Sequence, residues 1–456
     1  MINTAIRAYL DAHRAQHLEH LKQFLRFPSI SAQSDRHADC QACAEWLAEQ
    51  FRLLGMEAVV DKTPNKPAVL AFSEQRPDRT TLLVYGHSDV QPPDPLELWQ
   101  SPPFEPTVRD GDLFARGASD NKGNLITWLH AAEAYRAVEG DLPVNLKFFI
   151  EGEEEVGSPS LGPFVAANAE RLRSDCIIVG DAGFHAEGVP SIIYGLRGLV
   201  YVEVTVTGAR MDLHSGEYGG AVANPLNALA ALVASLHDAN GRVTLPGFYD
   251  DVLPLAPSER AAWQKLAHDD QALMADLGVD SLPGEAGFST LERTWARPTL
   301  DCNGMWGGYT GEGPKTVIPS WAKAKISCRL VCNQRPAAII ESIRRAIQDR
   351  RRPGTKVDMK VLSEDEPWLM ARDAPGGEQA MAALEEAFGR PCARVRAGGS
   401  VPVSIRFRQH LGVDPVLMGY SLPGDRVHSP NERFRIEQFH RGALAGAAVM
   451  ANLARR

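Results

Sequence analysis

The chain has 456 residues, of which 44% are hydrophobic and 23% are charged, and its formal net charge at pH 7 is -9. This length exceeds what one ordinary hydrophobic core fills, so the sequence predicts two domains. The acidic balance argues against nucleic acid or an anionic membrane as a partner.

The first part of the chain alternates helical and strand patterns. Nearly continuous apolar strands that alternate with helices indicate an α/β fold: a mostly parallel sheet with helices on both faces. The helical patterns lie at 2–26, 38–54, 122–138 and 160–172, and the apolar runs at 57–61, 67–73, 80–86, 145–151 and 176–181.

The pattern changes in the middle of the chain, where polar and apolar residues alternate as in half-exposed antiparallel strands. We therefore predict an α/β domain at 1–197 and 364–456, interrupted by an inserted α+β domain at 198–363. The alternating strands lie at 199–207, 323–331 and 356–362; helical patterns at 224–237, 337–350, 377–389, 400–410 and 434–454; a short strand at 414–419; and an irregular insertion at 240–300.

Location is predicted from two negative features and from the cysteines. No apolar run approaches the roughly 18 residues of a membrane span, and the N-terminus lacks a signal peptide's apolar core. Seven sparse cysteines suit reduced thiols, so we expect a cytoplasmic protein. Cys40 and Cys43 have a redox-like spacing, but they fall in a helical pattern without a second pair and are interpreted as ordinary helix thiols.

Acidic residues and a histidine follow four of the predicted strands. His87 and Asp89, in GHSDVQP, are two apart and so face the same way at a strand end. Open α/β sheets bind ligands at that end. The other segments are GASDNKGN (117–124), EGEEEVGS (151–158) and VGDAG (179–183).

This donor set predicts a cation site. Histidine and carboxylate ligands without thiolates suit Zn²⁺, Mn²⁺ or Co²⁺, and a shared carboxylate can hold two metals that act on one water. The sequence has no His-Glu-x-x-His helix, no Gly-x-Ser-x-Gly elbow and no P-loop, which excludes the hydrolases and phosphate-binding proteins that those motifs mark.

The ordered motifs resemble those of the M20 metallopeptidases, in particular the carnosinase-like dipeptidase branch. The resemblance covers roughly 80–435 and is weakest over 240–300. It implies the fold of the dinuclear-zinc exopeptidases, with the inserted domain as a lid and dimerisation domain. The motifs in chain order are GHSDVQP, GASDNKG, EGEEEVGS, YGLRG, DLHSGEYGG, PKTVIP, GGSVPVS and HSPNERF.

The resemblance implies two divalent metal ions per subunit, with zinc favoured over manganese or cobalt. One ion would be held by His87, Asp120 and Asp181. The other would be held by Asp120, Glu155 and His428, so that Asp120 bridges the pair.

The resemblance also implies catalytic roles. Asp89 would orient and polarise His87. Glu154 would be the general base that takes a proton from the attacking water and passes it to the leaving amine. Glu153 is interpreted as a solvated or rim carboxylate. His214 would reach across a dimer interface and polarise the scissile carbonyl in the partner's site.

Substrate contacts are implied in the second half of the chain. Arg329 would bind the substrate's C-terminal carboxylate, and N–H groups at Gly399 and Ser400 could receive one at a helix start. The structural alternative for Gly399 and Ser400 is that they cap the helix. Asn303 and Thr316 are weaker candidates, and Asn303 stands where similar enzymes often have a histidine. Arg197 could serve only to hold the domain boundary.

These features together predict a cytoplasmic, homodimeric, metal-dependent exopeptidase. It would hydrolyse dipeptides or similar short substrates with a free C-terminal carboxylate. One alternative keeps the chemistry and changes the substrate to an N-acyl or N-carbamoyl amino acid. Another is an inactive relative that acts as a binding protein.

Overall fold

The computed structural model of the chain describes residues 2–266, 268–399 and 402–455. Within them the strands, in chain order, are β1 (Glu57–Asp61), β2 (Ala68–Phe72), β3 (Thr81–His87), β4 (Thr107–Arg109), β5 (Asp112–Phe114), β6 (Asn145–Glu151), β7 (Cys176–Val179), β8 (Ser191–Leu196), β9 (Gly198–Thr207), β10 (Leu213–His214), β11 (Thr299–Gly307), β12 (Val317–Ile318), β13 (Trp321–Leu330), β14 (Lys356–Asp365), β15 (Trp368–Leu369), β16 (Ala393–Ala397), β17 (Val416–Met418) and β18 (Arg433–Arg435).

The α-helices of the described residues are α1 (Thr4–Ala12), α2 (Arg14–Leu25), α3 (His37–Leu53), α4 (Lys122–Glu139), α5 (Leu161–Ala167), α6 (Ala169–Leu172), α7 (Ser215–Tyr218), α8 (Pro225–Ala234), α9 (Pro257–Trp263), α10 (Asp270–Leu277), α11 (Thr290–Trp295), α12 (Pro336–Asp349), α13 (Gly377–Phe388), α14 (Pro402–Leu411) and α15 (Ile436–Leu453). Short 3-10 helices occupy Ser34–Arg36, Leu96–Leu98, Glu154–Val156 and Pro423–Asp425. No helix among residues 2–266, 268–399 and 402–455 combines the length and the apolarity needed to cross a bilayer.

The chain divides into two compact units. The first comprises Met1–Tyr194, Met370–Val395 and Pro402–Arg456, and the second comprises Gly195–Leu369 and Arg396–Val401. The domain bounds predicted from the sequence, and the lid and dimerisation role predicted for the middle segment, stay predictions.

The sheet of the first unit has the order β1-β2-β6-β3-β7-β17-β8. Its centre is parallel, since β6, β3, β7 and β17 pair in that sense, whereas β1, β2 and β8 pair antiparallel at the sides. The central strands β6 and β7 are buried along their whole length, which explains their continuous apolar sequences. The predicted α/β class is confirmed.

A small three-stranded sheet was not predicted from the sequence. It pairs β18 with β5 and β5 with β4, each strand having only three residues. Next to it, the N–H of Ala115 donates to the carbonyl of Glu432 at 3.1 Å. The segment after residue 427 is thereby fixed beside the loop that carries Asp120.

The second unit contains a four-stranded antiparallel sheet in the order β11-β13-β9-β14. Burial alternates along β9, so that Val200, Val202 and Val204 face the core. Helices α8 and α12 pack against the sheet. This is the α+β arrangement that the period-two pattern predicts.

Two predicted helices are each broken into two, and a polar side chain marks both breaks. The pattern at 2–26 is interrupted at His13, whose Nδ1 lies 2.8 Å from the carbonyl oxygen of Tyr9. The pattern at 160–172 is interrupted at Asn168, whose amide donates to the carbonyl of Phe164 at 3.0 Å. In each case the side chain binds the carbonyl four residues back and competes with helix propagation.

Candidate metal centre

His87 ends β3 and is fully buried. Its Nδ1 donates to the carbonyl oxygen of Asp89 at 3.1 Å and lies 3.4 Å from Oδ1 of the same residue. This leaves Nε2 facing Oδ1 of Asp120 at 3.0 Å and Oδ2 of Asp181 at 3.6 Å. The ring is thus fixed in the orientation that suits metal ligation through Nε2.

Asp120 presents one oxygen to each of two histidines. Its Oδ1 lies 3.0 Å from His87 Nε2 and its Oδ2 lies 2.9 Å from His428 Nε2. His428 Nε2 also lies 3.1 Å from Oε2 of Glu155. Within the described chain, ligand atoms lie within 4.8 Å of one another in two groups that share Asp120: His87, Asp120 and Asp181, and Asp120, Glu155 and His428.

Asp89 positions three groups of the site. It is fully buried. Besides contacting His87, it accepts the backbone N–H of Glu154 on Oδ1 at 3.3 Å and that of Glu155 on Oδ2 at 3.1 Å. A single carboxylate therefore fixes a histidine and the turn that carries both glutamates.

The electrostatics of the site fit a cation. Burial, with the nearby Asp181 and Glu155, raises the pKa of Glu154 to about 9. Burial and Asp120 raise the pKa of Asp181 to about 7. These shifts record carboxylates that repel one another in a poorly solvated place, and a divalent cation would relieve that repulsion.

The histidine shifts show the same complementarity. Hydrogen bonds to Asp120 and Glu155 raise the pKa of His428 to about 10. Burial opposes ionisation of Asp120, but the hydrogen bonds from His428 and His87 hold its pKa well below the usual value. In the chain alone the two rings supply the positive charge that the carboxylates need. Both triads therefore fit divalent metals in ligand type and charge.

Sequence reasoning missed the group that anchors the Asp120 loop. Glu432 is fully buried and accepts from Arg116 Nη1 at 2.7 Å and from the backbone N–H groups of Gly117, Ser119 and Asp120 at 2.9, 2.9 and 3.1 Å. The motif HSPNERF contains this residue, but nothing in the sequence relates it to a loop more than 300 positions earlier.

Two further polar side chains that sequence reasoning passed over hold the rim of the site. The amide of Asn121 donates to Asp181 Oδ1 at 3.1 Å. The amide of Gln91 donates to Glu155 Oε2 at 2.9 Å. Both lie within motifs quoted above, Asn121 in GASDNKG and Gln91 in GHSDVQP, and this is the sequence signal for them.

One interpretation of the triple glutamate is wrong. Glu153 is not a solvated or rim carboxylate, because only 2% of its surface is exposed. Its Oε1 accepts the backbone N–H of Ser160 at 3.0 Å and closes the turn before α5. The carboxylate is drawn inward by this backbone donor, which the sequence pattern does not reveal.

His214 and Thr316 meet in the second unit. His214 ends β10, is exposed, and accepts the N–H of Gly216 on Nδ1 at 3.0 Å. Its Nε2 lies 3.5 Å from Oγ1 of Thr316, and β10 pairs with the adjacent β12. Nδ1 is thus occupied by a backbone N–H, and Nε2 has the Thr316 hydroxyl as its neighbour.

Two cationic side chains also lie near each other in this unit. Burial and the nearby Arg329 lower the pKa of Arg197 to about 10. Arg197 Nε donates to the carbonyl of Gly398 at 3.2 Å.

The remaining residues predicted to contact the substrate are Gly399, Asn303 and Ser400. Gly399 is exposed, and Asn303 is exposed at an irregular point of β11. Ser400 lies outside the described residues.

Comparison with known proteins identifies the family of the chain. The sequence profile of Peptidase family M20/M25/M40 matches residues 83–452. The chain belongs to this family. It is 31% identical over 451 residues, 95% of this chain and 94% of the relative, to the Cys-Gly metallodipeptidase dug1 of Schizosaccharomyces pombe.

Solved structures of the family superpose on nearly the whole chain. Human carnosine dipeptidase 1 is 30% identical with a TM-score of 0.83, covering 99% of this chain and 98% of that one. The metallo-carboxypeptidase Sso-CP2 of Sulfolobus solfataricus is 32% identical with a TM-score of 0.84, covering 96% and 99%. The predicted family is confirmed, and the chain is a metal-dependent hydrolase.

Proposed function

We propose that the chain is a dipeptidase that works with two divalent metal ions, zinc in the first place and manganese or cobalt as alternatives. One observation carries the proposal: Asp120 directs one oxygen to each of two histidines, so that two ligand triads share it. His87, Asp120 and Asp181 would hold one ion. Asp120, Glu155 and His428 would hold the other.

The mechanism follows from the side chains around these triads. When bound, a pair of divalent metals polarises the substrate carbonyl and makes a water nucleophilic at neutral pH. Glu154, held by Asp89 through its backbone N–H, is the base that takes the proton from the attacking water. It then donates that proton to the leaving amine. Asp89 keeps the His87 ring in the ligating orientation.

The substrate class is supported by groups in the second unit. Arg329 is the proposed partner of the substrate's C-terminal carboxylate, since a guanidinium binds a carboxylate through two parallel bonds. The nearby Arg197 adds positive charge. Gly399 and Ser400 are proposed to offer backbone N–H groups, and Asn303 and Thr316 to contact the rest of the substrate. The similar proteins named for Cys-Gly and carnosine support dipeptides as substrates.

We further propose a homodimer in which His214 acts in the partner's site and polarises the scissile carbonyl. The exposure of His214, with its Nε2 beside the Thr316 hydroxyl, supports this role. Mixing inactive His214→Ala with inactive Glu154→Gln tests it. Recovered hydrolysis in the mixture is expected if His214 acts across the dimer, and no recovery contradicts it. No disulfide joins the seven cysteines, all of which lie among the described residues, and this supports the cytoplasm as the location.

Hydrolysis of N-acyl or N-carbamoyl amino acids is not favoured, because the relatives matched at about 30% identity over nearly the whole chain are named as peptidases. An inactive binding protein is not favoured either, since both proposed triads and the proposed base are present.

The test combines metal analysis with a substrate panel. The purified chain is assayed on dipeptides and on N-acetyl, N-succinyl and N-carbamoyl amino acids, before and after chelation and metal return. We expect about two metals per chain and dipeptide hydrolysis that is lost and restored with them. Preference for the acylated set would overturn the dipeptidase assignment, and metal-independent hydrolysis would overturn the mechanism. Glu154→Gln is the matched control that should keep the metal and lose turnover.

A further inference from the structure

A second group of side chains of the types that ligate metals lies in the first unit, on α2 and α4. His17 and His20 stand three residues apart on α2, and His130 and Glu133 stand three residues apart on α4. Residues at this spacing share one face of a helix. Paired helices that each present two such donors form metal sites in helical bundles. These residues form a group separate from the two groups that share Asp120.

The donor atoms have a separation that suits a small cation. His17, His130 and Glu133 each offer a ligand atom within 4.8 Å of the others. His17 Nε2 and Glu133 Oε2 are 3.5 Å apart. A tetrahedral zinc site with bonds of about 2.0–2.1 Å has ligand atoms about 3.4 Å apart. The pair is therefore already near the spacing of two zinc ligands.

Two of these imidazoles are buried with a nitrogen that lacks a hydrogen-bond partner. His17 is 2% exposed and His130 is 0% exposed. Within the described chain, no hydrogen bond reaches His17 Nε2 or His130 Nδ1. The two rings are stacked with their centroids 4.0 Å apart and their planes inclined by 11°, so one ring must turn for both nitrogens to point at one ion. An unpaired buried polar atom is costly, so His130 Nδ1 calls for a partner, whereas His17 Nε2 has only the Glu133 carboxylate at 3.5 Å.

The hydrogen-bond network assigns the proton positions. His20 Nε2 faces the carbonyl oxygen of the Gln50 side chain at 3.0 Å and must donate to it. His20 Nδ1 then accepts a hydrogen bond from the N–H of His130 Nε2 at 3.1 Å. His130 Nδ1 is left with a free lone pair, which is the form of imidazole that binds a metal. Burial also lowers the pKa of His130 well below its usual value and so keeps the ring neutral.

The carboxylate of the group supplies the negative charge. One oxygen of Glu133 accepts the Tyr9 hydroxyl at 3.0 Å, which orients the group and leaves Oε2 toward His17. Although burial opposes its ionisation, contact with His17 lowers the pKa of Glu133 overall. A cavity of about 440 Å³, lined by His17, His20 and Glu133 among others, gives an ion a way in.

We propose that His17, His130 and Glu133, with His20 beside them, form a second metal site that takes a zinc-type divalent cation and ties α2 to α4. Imidazole nitrogens and a carboxylate are ligands that Zn²⁺ accepts, and the donors come from two packed helices. The site is independent of the proposed dipeptidase chemistry.

The test measures zinc content in the full-length chain. Wild type, His17→Ala, Glu133→Gln and His13→Ala are stripped with a chelator, dialysed against Zn²⁺ at a buffered micromolar free concentration, and analysed for bound metal. Glu133→Gln keeps the size of the side chain and an acceptor for Tyr9 but loses the anionic ligand. His13→Ala is the matched control, because it removes a histidine just before α2 whose Nδ1 is already bonded to a backbone carbonyl.

We expect both cluster variants to hold one Zn²⁺ fewer than wild type, with affinity for that ion weakened by at least about tenfold, and His13→Ala to match wild type. Dipeptide hydrolysis by the zinc-loaded cluster variants should be unchanged, which separates this proposal from a failure of the catalytic one. Equal zinc content in wild type and Glu133→Gln overturns the proposal. An equal loss in His13→Ala also overturns it, since zinc binding would then follow the integrity of the helix rather than the donors.

Discussion

Replacing Asp89 by asparagine is the sharpest test of how the candidate centre is positioned. The two oxygens of Asp89 each accept one backbone N–H, from Glu154 and from Glu155, and Oδ1 also lies 3.4 Å from His87 Nδ1. Asparagine keeps one oxygen and turns an NH₂ group toward a donor. Leaving a buried donor unpaired costs about 1–3 kcal/mol, which corresponds to a factor of roughly 5–150 in an equilibrium constant.

This cost falls on the orientation of a ligand ring and on the turn of the base. We therefore expect Asp89→Asn to bind zinc about 10–100-fold more weakly, as for other residues that orient metal ligands. At saturating zinc, kcat should still fall because the backbone of Glu154 is no longer held. Zinc affinity is measured by competition with a chromophoric chelator, and kcat by dipeptide hydrolysis.

Asp78→Asn is the matched control, since it makes the same chemical change at an exposed position before the other end of β3. It should leave both quantities unchanged. Wild-type zinc affinity together with wild-type kcat in Asp89→Asn would refute the reasoning.

Three other outcomes are expected. Glu432→Gln leaves the buried Arg116 without its anionic partner and should lower the free energy of unfolding, measured by denaturation, by about 3–5 kcal/mol. Glu187→Gln removes one partner of an exposed ion pair and should lower the same free energy by less than about 1 kcal/mol. Arg329→Lys should raise the dipeptide KM by about 10–100-fold with little change in kcat, and an unchanged KM would remove Arg329 from the substrate site. Burial lowers the pKa of His440 to about 4, so the stability that the neutral ring contributes above about pH 6.5 is lost as the pH falls toward 4. His440→Asn does not lose this stability. The difference in unfolding free energy between His440→Asn and wild type should therefore shift by about 1 kcal/mol in favour of the variant between pH 7.5 and pH 5, after allowance for screening of a partly exposed ring.

The parts that sequence could predict are those with local causes. Strands β3, β6 and β7 are recognisable because both faces are buried and the sequence is continuously apolar. His87 was placed correctly at a strand end for the same reason. Alternation along β9 identified the sheet of the second unit.

The parts that sequence could not predict depend on contacts between distant segments. The strands β4, β5 and β18 have three residues each, too few for a period to show. Glu432 has a role only because a loop more than 300 positions away docks its N–H groups on it. The pair His17 and His20 is visible as a spacing on α2, but its partners on α4 become apparent only when the helices pack.

The sharing of Asp120 has a consequence for the timing of synthesis. Asp120 and His428 are 308 positions apart, and Glu432, which holds the Asp120 loop, is made later still. At about 5–20 residues per second, a ribosome needs roughly 15–60 seconds to cover that interval. Throughout that interval, a nascent chain that has already folded its first strands contains Asp120 but not His428. With His428 as a metal ligand, as we propose, peptide hydrolysis requires synthesis through that residue, and we expect chains that stop short of residue 428 to be inactive.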